Sequence, residues 1–147
     1  MNSEIEEFRH KISIKVRFSD LDAMGHVNNA SYLSYLEEAR LAYYNQVLKV
    51  NTNNLDFNAV IARIEIDYVD QIRLGDDIEV YTRTSKIGSK SSDVEHIVVV
   101  TTGGNKKIAA RALTKLVSFD YRKNTSVPVS EGAKKVIEEF EKRRITA

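Results

Sequence analysis

The 147-residue chain, with 22 basic and 21 acidic side chains and a formal charge of +1, is sized for one domain, here taken as residues 1–147, with a core that needs no staples. It has no cysteine, which excludes disulfides and thiolate chemistry, and no basic stripe of the kind nucleic acid selects. No apolar run approaches the roughly 20 residues needed to cross a bilayer, and the opening MNSEIEEFRH is acidic where a signal peptide is basic and then apolar. The expectation is a soluble, cytoplasmic protein without a membrane span or a nucleic-acid partner.

A strand is predicted first, over residues 11–18. Ile12, Ile14, Val16 and Phe18 alternate with Lys11, Ser13, Lys15 and Arg17, the period of a half-buried strand. The period then changes. From Ala30 to Leu48 the residues Tyr32, Tyr35, Leu36, Ala39, Tyr43 and Val47 recur at helical spacing, with Asn28 or Asn29 placed as N-cap. Leu33, Leu41, Tyr44 and Leu48 lie off that stripe, so the helix is apolar on most sides and is expected to be buried. NTNN (51–54) ends it. Four β-branched segments follow without a further helix, at 59–70, 77–88, 89–102 and 106–120. Gly103-Gly104-Asn105 marks a tight hairpin between the last two. After Pro128, residues 130–143 read as an amphipathic helix capped by Ser130, with Ala133, Val136, Ile137 and Phe140 facing inward. A single sheet hides such an apolar central helix only by curling round it, which is an α+β arrangement whose far face is left for a partner subunit.

Between the first strand and the long helix lies RFSDLDAMGHVNN (17–29), crowded with polar groups beyond the needs of one cap. A helix start offers backbone N–H groups without internal partners and the positive end of the peptide dipoles. Gly25 allows close backbone approach. Asp22 reads either as an Asx-turn aspartate or as an acid/base group beside the helix start. Asp20 suits the turn. Glu37 and Glu38 diverge by about 100° on a helix and do not share a site; Glu37 and Arg40 suit an ordinary i, i+3 ion pair. His10, His26 and His96 lack ligand-like spacing, so no metal site and no cofactor are expected.

The run Phe18-Ser-Asp20-Leu-Asp22-Ala-Met-Gly25-His26-Val-Asn28-Asn29, leading into Tyr32-Leu-Ser-Tyr-Leu-Glu37-Glu38-Ala-Arg40, resembles the signature of the hotdog-fold acyl-CoA thioesterases, in the 4-hydroxybenzoyl-CoA thioesterase branch with HVNN. The order of strands and the ending KLVSFD (115–120) are similar too. The resemblance implies a five-stranded antiparallel sheet wrapped around the long helix, plus a short C-terminal helix. It implies a homodimer, or a tetramer of two dimers, with active sites at the subunit boundary. It implies hydrolysis of an acyl-CoA to free acid and CoA. Asp22, the second aspartate of the family's Asp-x-Asp-x-x-Gly pattern, would be nucleophile or general base, and the N–H at Asn29 would polarise the carbonyl. His26 is carried by the subgroup and is placed with these two. Gly25, Asn28 and Tyr32 would contact substrate. Lys90 and Ser91, in a cluster with Lys86, Gly88 and Ser89, match positions that meet the CoA nucleotide. A related branch uses a helical glutamate, which makes Glu37 or Glu38 the alternative base. An acyl-ACP thioesterase and a non-catalytic scaffold that binds acyl groups or a protein partner are the competing functions.

Overall fold

The structure is a computed structural model and describes residues 2–49, 58–143 and 145. The elements in chain order are α1 (Asn2–Ile5), β1 (His10–Lys15), a 3-10 turn (Phe18–Asp20), α2 (Asn29–Val47), β2 (Ala59–Tyr68), β3 (Asp77–Ile87), β4 (Ser91–Thr102), β5 (Asn105–Asp120), β6 (Thr125–Ser126) and α3 (Glu131–Glu141). Among the described residues no helix is long and apolar enough to cross a membrane.

All strand pairings are antiparallel, in the spatial order β1-β3-β4-β5-β2, with the two-residue β6 added at the end of β5. Thr102 pairs with Asn105 across Gly103 and Gly104, whose φ values of 56° and 85° give the doubly positive turn that matches strand twist. The two edges of the sheet touch the same helix. The His10 ring on β1 stands 5.5 Å from Tyr43, and the Tyr68 ring on β2 stands 5.0 Å from Tyr32. A flat sheet five strands wide cannot do this, so the sheet curls round α2. This is the hotdog arrangement the resemblance implies.

The expected stripe of α2 is the buried one. Tyr32, Tyr35, Leu36, Ala39, Tyr43 and Val47 are all in the core, the first four packed with Ile14, Ile78, Val80, Val98 and Ala110 of the sheet, and Tyr43 and Val47 with Ile87, Val94, Leu116 and Ile137. Asn28 caps the helix, its Oδ1 accepting from the Ala30 N–H at 2.9 Å. Burial is not all round, however: Leu33, Glu37, Glu38, Asn45 and Gln46 form an exposed face. A smaller cluster of Tyr81, Ile97, Val99 and Ile108 lies on the convex side, covered by Ile5 and Phe8 of the N-terminal segment. That segment is pinned by Glu4 to Arg111 and by Glu7 to Arg83.

Several expectations need correction. Phe18 does not continue the inward face of β1. The strand ends at Lys15, the chain winds into the 3-10 turn, and Phe18 is left 81% exposed while Asp20 goes inside. Val136 is exposed; Ile137 is the residue α3 buries, together with Glu141. Glu141 was not anticipated as a core group. Its Oε2 accepts from the Tyr43 hydroxyl at 2.5 Å and from the Thr84 N–H at 3.0 Å, where the β3–β4 register shifts and leaves that amide to a side chain. Glu37 and Arg40 make no close salt bridge: Arg40 is buried and Glu37 exposed, although the Glu37 charge still acts on the guanidinium. The helix α1 and the strand β6 were not foreseen, and the proposed helix stop at 51–54 lies outside the described residues.

Candidate active site

Two aspartates two residues apart have opposite surroundings. Asp20 is buried. Its carboxylate accepts from the Arg17 N–H at 2.9 Å, the Arg17 guanidinium at 3.0 Å and the Tyr35 hydroxyl at 2.8 Å. Burial pushes the carboxyl up, but those three donors and the Arg17 charge outweigh it, and the net shift is below the ordinary aspartate value. Its carbonyl accepts from Asn28 N–H and Ser31 hydroxyl, which ties the 3-10 turn to the start of α2. Asp20 is a structural residue.

Asp22 is exposed and opens a tight loop. Its N–H donates to the His26 carbonyl at 2.8 Å, and its carbonyl accepts from Gly25 N–H at 3.1 Å. Its Oδ1 accepts from Met24 N–H at 2.8 Å and His26 N–H at 3.3 Å, an Asx-type turn. Gly25 sits at φ 81°, a conformation L side chains rarely adopt, and a Cβ there would meet nothing within 4 Å. Within the chain its demand is therefore backbone freedom. Bridges Leu21–Val27 and His26–Arg73 clamp the loop against the segment before β3. The outcome is a carboxylate with one oxygen held by backbone. The other, Oδ2, has no hydrogen bond among the described residues.

The tip of α2 borders the same recess as Asp22. Ala30 N–H is taken by the Asn28 side chain and Ser31 N–H by the Asn28 carbonyl. The Asn29 N–H has no acceptor among the described residues. A cavity of about 200 Å³ opens at this point, lined by Asp22, His26, Val27, Asn29, Tyr32, Tyr68, Val69, Asp70 and Gln71. The tyrosines form one wall. Tyr32 donates its hydroxyl to the Asp70 carbonyl at 3.2 Å, and Tyr68 donates to the Asn29 carbonyl at 3.0 Å. Burial, then the neighbouring Tyr68 and Asp70, push the Tyr32 phenol up to about 12, so it stays a neutral donor. A negative side chain, an unpaired amide at the positive end of a helix and a closed aromatic wall suit attack on a carbonyl whose oxygen becomes anionic.

Of the residues singled out in the sequence, Asp22, His26, Asn29 and Tyr32 line this one cavity. Gly25 and Asn28 stand beside it as turn and cap. Lys90 and Ser91 do not reach it within one chain. They lie at the β3–β4 turn, the length of β3 away, on the order of 30 Å. Glu37 and Glu38 are exposed and line no part of it. Tyr68, Asp70 and Gln71 were missed. The signal available was the clustering of polar residues just after the apolar run of β2, where a strand end points to a site. Among the described residues no group of three or more His, Cys, Asp or Glu is placed to hold a metal ion.

Comparison with known proteins bears on the family and the fold. The family model of the thioesterase-like superfamily matches residues 16–137. The uncharacterized protein YsmA of Bacillus subtilis is 33% identical over 61% of this chain, a match that spans 59% of that relative's length. The long-chain acyl-CoA thioesterase FadM of Escherichia coli is 28% identical over 88% of this chain and 97% of its own. A crystal structure of a Thermus thermophilus thioesterase complexed with coenzyme A and zinc superposes with a TM-score of 0.83 at 36% identity, covering 94% of this chain and 98% of that one. The chain belongs to the thioesterase-like superfamily and is a thioester hydrolase of the hotdog fold.

Proposed function

We propose that the protein hydrolyses acyl-CoA thioesters and that Asp22 and the Asn29 amide carry the reaction. The observation behind this reading is the shared cavity: Asp22, whose Oδ2 has no hydrogen bond among the described residues, and Asn29, whose N–H has no acceptor among them, line the same 200 Å³ space. The thioester oxygen sits at the helix tip. Asp22 either takes a proton from an attacking water or attacks the carbonyl carbon itself to give a mixed anhydride that water then opens. In both routes the C–S bond breaks, the sulfur leaves as a thiolate that gains a proton, and the acid is released. An amide at the developing oxyanion is worth about 3–4 kcal/mol. His26 positions the loop: its N–H holds Asp22 Oδ1 and its carbonyl accepts from Asp22 N–H. The scheme draws on the chain's own groups and on no cofactor. The Thermus relative's bound coenzyme A and FadM's acyl-CoA substrate favour CoA over a carrier-protein thioester.

The working unit in this reading is a homodimer. β2 is an edge strand with Ile61 45% exposed, its Tyr68 end touches α2 at Tyr32 and Asn29, and α2 leaves Leu33 exposed. Antiparallel pairing of two β2 edges about a twofold axis would carry each subunit's Lys90–Ser91 turn to the end of the sheet where the other keeps its Asp22 cavity. That arrangement gives the turn its role in gripping the CoA phosphates.

Thiol release from a panel of acyl-CoAs and acyl-ACPs tests the reading. Wild-type protein is expected to release thiol from acyl-CoA, and Asp22→Ala to lose most of that rate. Equal rates from both proteins would remove Asp22 from the chemistry. Turnover confined to acyl-ACP would replace the carrier, and silence on the whole panel would favour a binding protein. A solution mass of one chain would remove the dimer.

A further inference from the structure

The apolar cluster on the convex side of the sheet is laid out by the strand register. In one row Glu79 pairs with Val99 and Val99 with Ile108. In the next, Lys11 pairs with Tyr81, Tyr81 with Ile97, Ile97 with Arg111 and Arg111 with Asp67. In a third, Arg83 pairs with Glu95. Tyr81, Ile97, Val99 and Ile108 therefore form one patch over β3, β4 and β5, none of them more than 9% exposed. Its cover is the N-terminal segment. Ile5 and Phe8 pack on the patch, with the Phe8 ring edge-on to Tyr81 at 6.3 Å and 4.5 Å from the Arg83 guanidinium carbon. Glu4 accepts from Arg111 Nε and Nη2, each at 2.8 Å. Glu7 accepts from Arg83 Nη1 at 2.8 Å, with the Arg143 guanidinium 3.9 Å away.

This cover is lightly held. α1 is four residues long, too short to be helical without the sheet beneath it. Ile5 and Phe8 stay partly exposed, and Glu4 and Glu7 are exposed, so their ion pairs are of the kind that adds little. Arg83 has a second carboxylate, Glu95 at 2.6 Å, and Arg111 lies opposite Asp67, so neither arginine depends on the segment for a counter-charge. A segment with so few apolar contacts opens at far lower cost than the strands under it. Opening bares an apolar patch in the middle of a sheet, which is the mark of a contact surface. The surrounding charges indicate the partner. Lys11 and Glu79, 2.8 Å apart, border the patch on one side, Arg111 and Asp67 on another, Arg83 and Glu95 on a third. Each border carries both signs. Anionic membranes and nucleic acids select one sign and find no such field here. A second copy related by a twofold axis presents the same mixture, so each cation is offered a carboxylate, and apolar sheet faces stack at about 10 Å. Pairing of β2 edges leaves this face open, so the two contacts do not compete.

We propose that residues 4–8 are a strap that keeps a second copy of this chain off the convex face of the sheet, and that two bared faces pack together when the strap lifts. No step of the hydrolysis enters into this. The test is the solution mass of the full-length protein by sedimentation equilibrium. The double variant Ile5→Asp/Phe8→Asp removes both apolar anchors, and its mass is expected to be about twice that of wild type. Adding Ile97→Glu places a charge in the bared patch and is expected to return the mass to the wild-type value. The double variant Glu4→Arg/Glu7→Arg leaves every apolar side chain in place and sets the strap against Arg111 and Arg83. Its mass is expected to rise from the wild-type value toward twice that value as protein concentration increases, and it decides the matter if Ile5→Asp/Phe8→Asp fails to fold. A wild-type mass at every concentration in the folded strap variants overturns the proposal. So does a doubled mass that Ile97→Glu leaves doubled, because the association then uses another surface.

Discussion

The two ends of α2 each border a recess, and the larger one is at the wrong pole. At the C-terminal end an apolar space of about 320 Å³ is walled by Tyr44, Leu48, Ile87, Leu116, Val129 and Ile137, among others. No carboxylate, imidazole or amine lines it among the described residues. The carbonyls of a helix C-terminus repel a developing oxyanion. The N-terminal recess is smaller, at about 200 Å³, yet it has a carboxylate, an imidazole and an unpaired amide. Size and apolarity mark where a chain packs loosely. Hydrolysis needs the pole of the helix that favours negative charge, with a base beside it.

The contrast breaks most sharply at Asp22. Asparagine keeps an Oδ1 able to accept from Met24 and His26, so Asp22→Asn preserves the Asx turn and removes only the basic oxygen. kcat for thioester hydrolysis is expected to fall by about a thousandfold, with the melting temperature within a degree or two of wild type. Equal losses of activity and stability would mean that the turn, not the base, was what mattered.

The middle of α2 sharpens the comparison through pH. His96 is buried neutral, with its folded value pushed down to about 3 against roughly 6.5 in the unfolded chain. Below pH 6.5 the unfolded state takes up a proton that the native state refuses. Stability is therefore complete above pH 6.5 and lost progressively toward pH 3, by several kcal/mol if the ring stays buried. His10, whose ring burial also pushes downward, adds in the same direction. The depressed Asp20 carboxyl contributes separately, since its share is lost only below about pH 4. Urea unfolding at pH 7 and pH 4.5 is expected to show this slope, and His96→Leu to flatten it. An unchanged slope would place the titration elsewhere.

At the C-terminal end the weight falls on stability. Glu141→Ala removes the acceptor shared by Tyr43 and Thr84 and is expected to cost about 2–3 kcal/mol in denaturant unfolding. Activity per folded molecule should be unchanged. A loss of kcat at constant stability would tie the two ends of the helix together in a way their separation argues against.

Most of the fold was legible because it rests on period. The β-branched runs and the stripe from Tyr32 to Val47 each bury one face, and burial selects the same residues that the spacing picks out. The turn at Gly103-Gly104 was legible because glycine takes the two positive φ values without the penalty other residues meet. What escaped depends on contacts between distant segments. Arg40 at i, i+3 from Glu37 reads as a surface pair, yet the folded chain buries it, which no local spacing reveals. Glu141 reads as the polar side of α3 until the register shift after Thr84 leaves an amide in need of an acceptor. Phe18 follows the strand alternation until the bonds to Asp20 wind the chain the other way. At the candidate site, the loop residues Asp22, His26 and Asn29 were visible in one motif. The wall they face was not, because Tyr68 and Asp70 arrive from the far edge of the sheet.

That wall gives the smallest expected effect. Tyr68 is 43% exposed, and its hydroxyl bonds to the Asn29 carbonyl, the first carbonyl inside the helix. Its ring also stands edge-on to Tyr32. Tyr68→Phe keeps the ring contact and removes only the hydrogen bond, a change worth about 1 kcal/mol at most for a partly exposed pair. If the bond fixes the tilt of the Asn29 peptide toward the substrate oxygen, the loss appears in the transition state alone: kcat falls about threefold while KM holds. If Tyr68 merely covers the cavity, Tyr68→Phe matches wild type and Tyr68→Ala raises KM. Steady-state kinetics on the two variants separate an amide that is aimed from one that is only sheltered, because only the aimed amide distinguishes the oxyanion from the ground-state carbonyl.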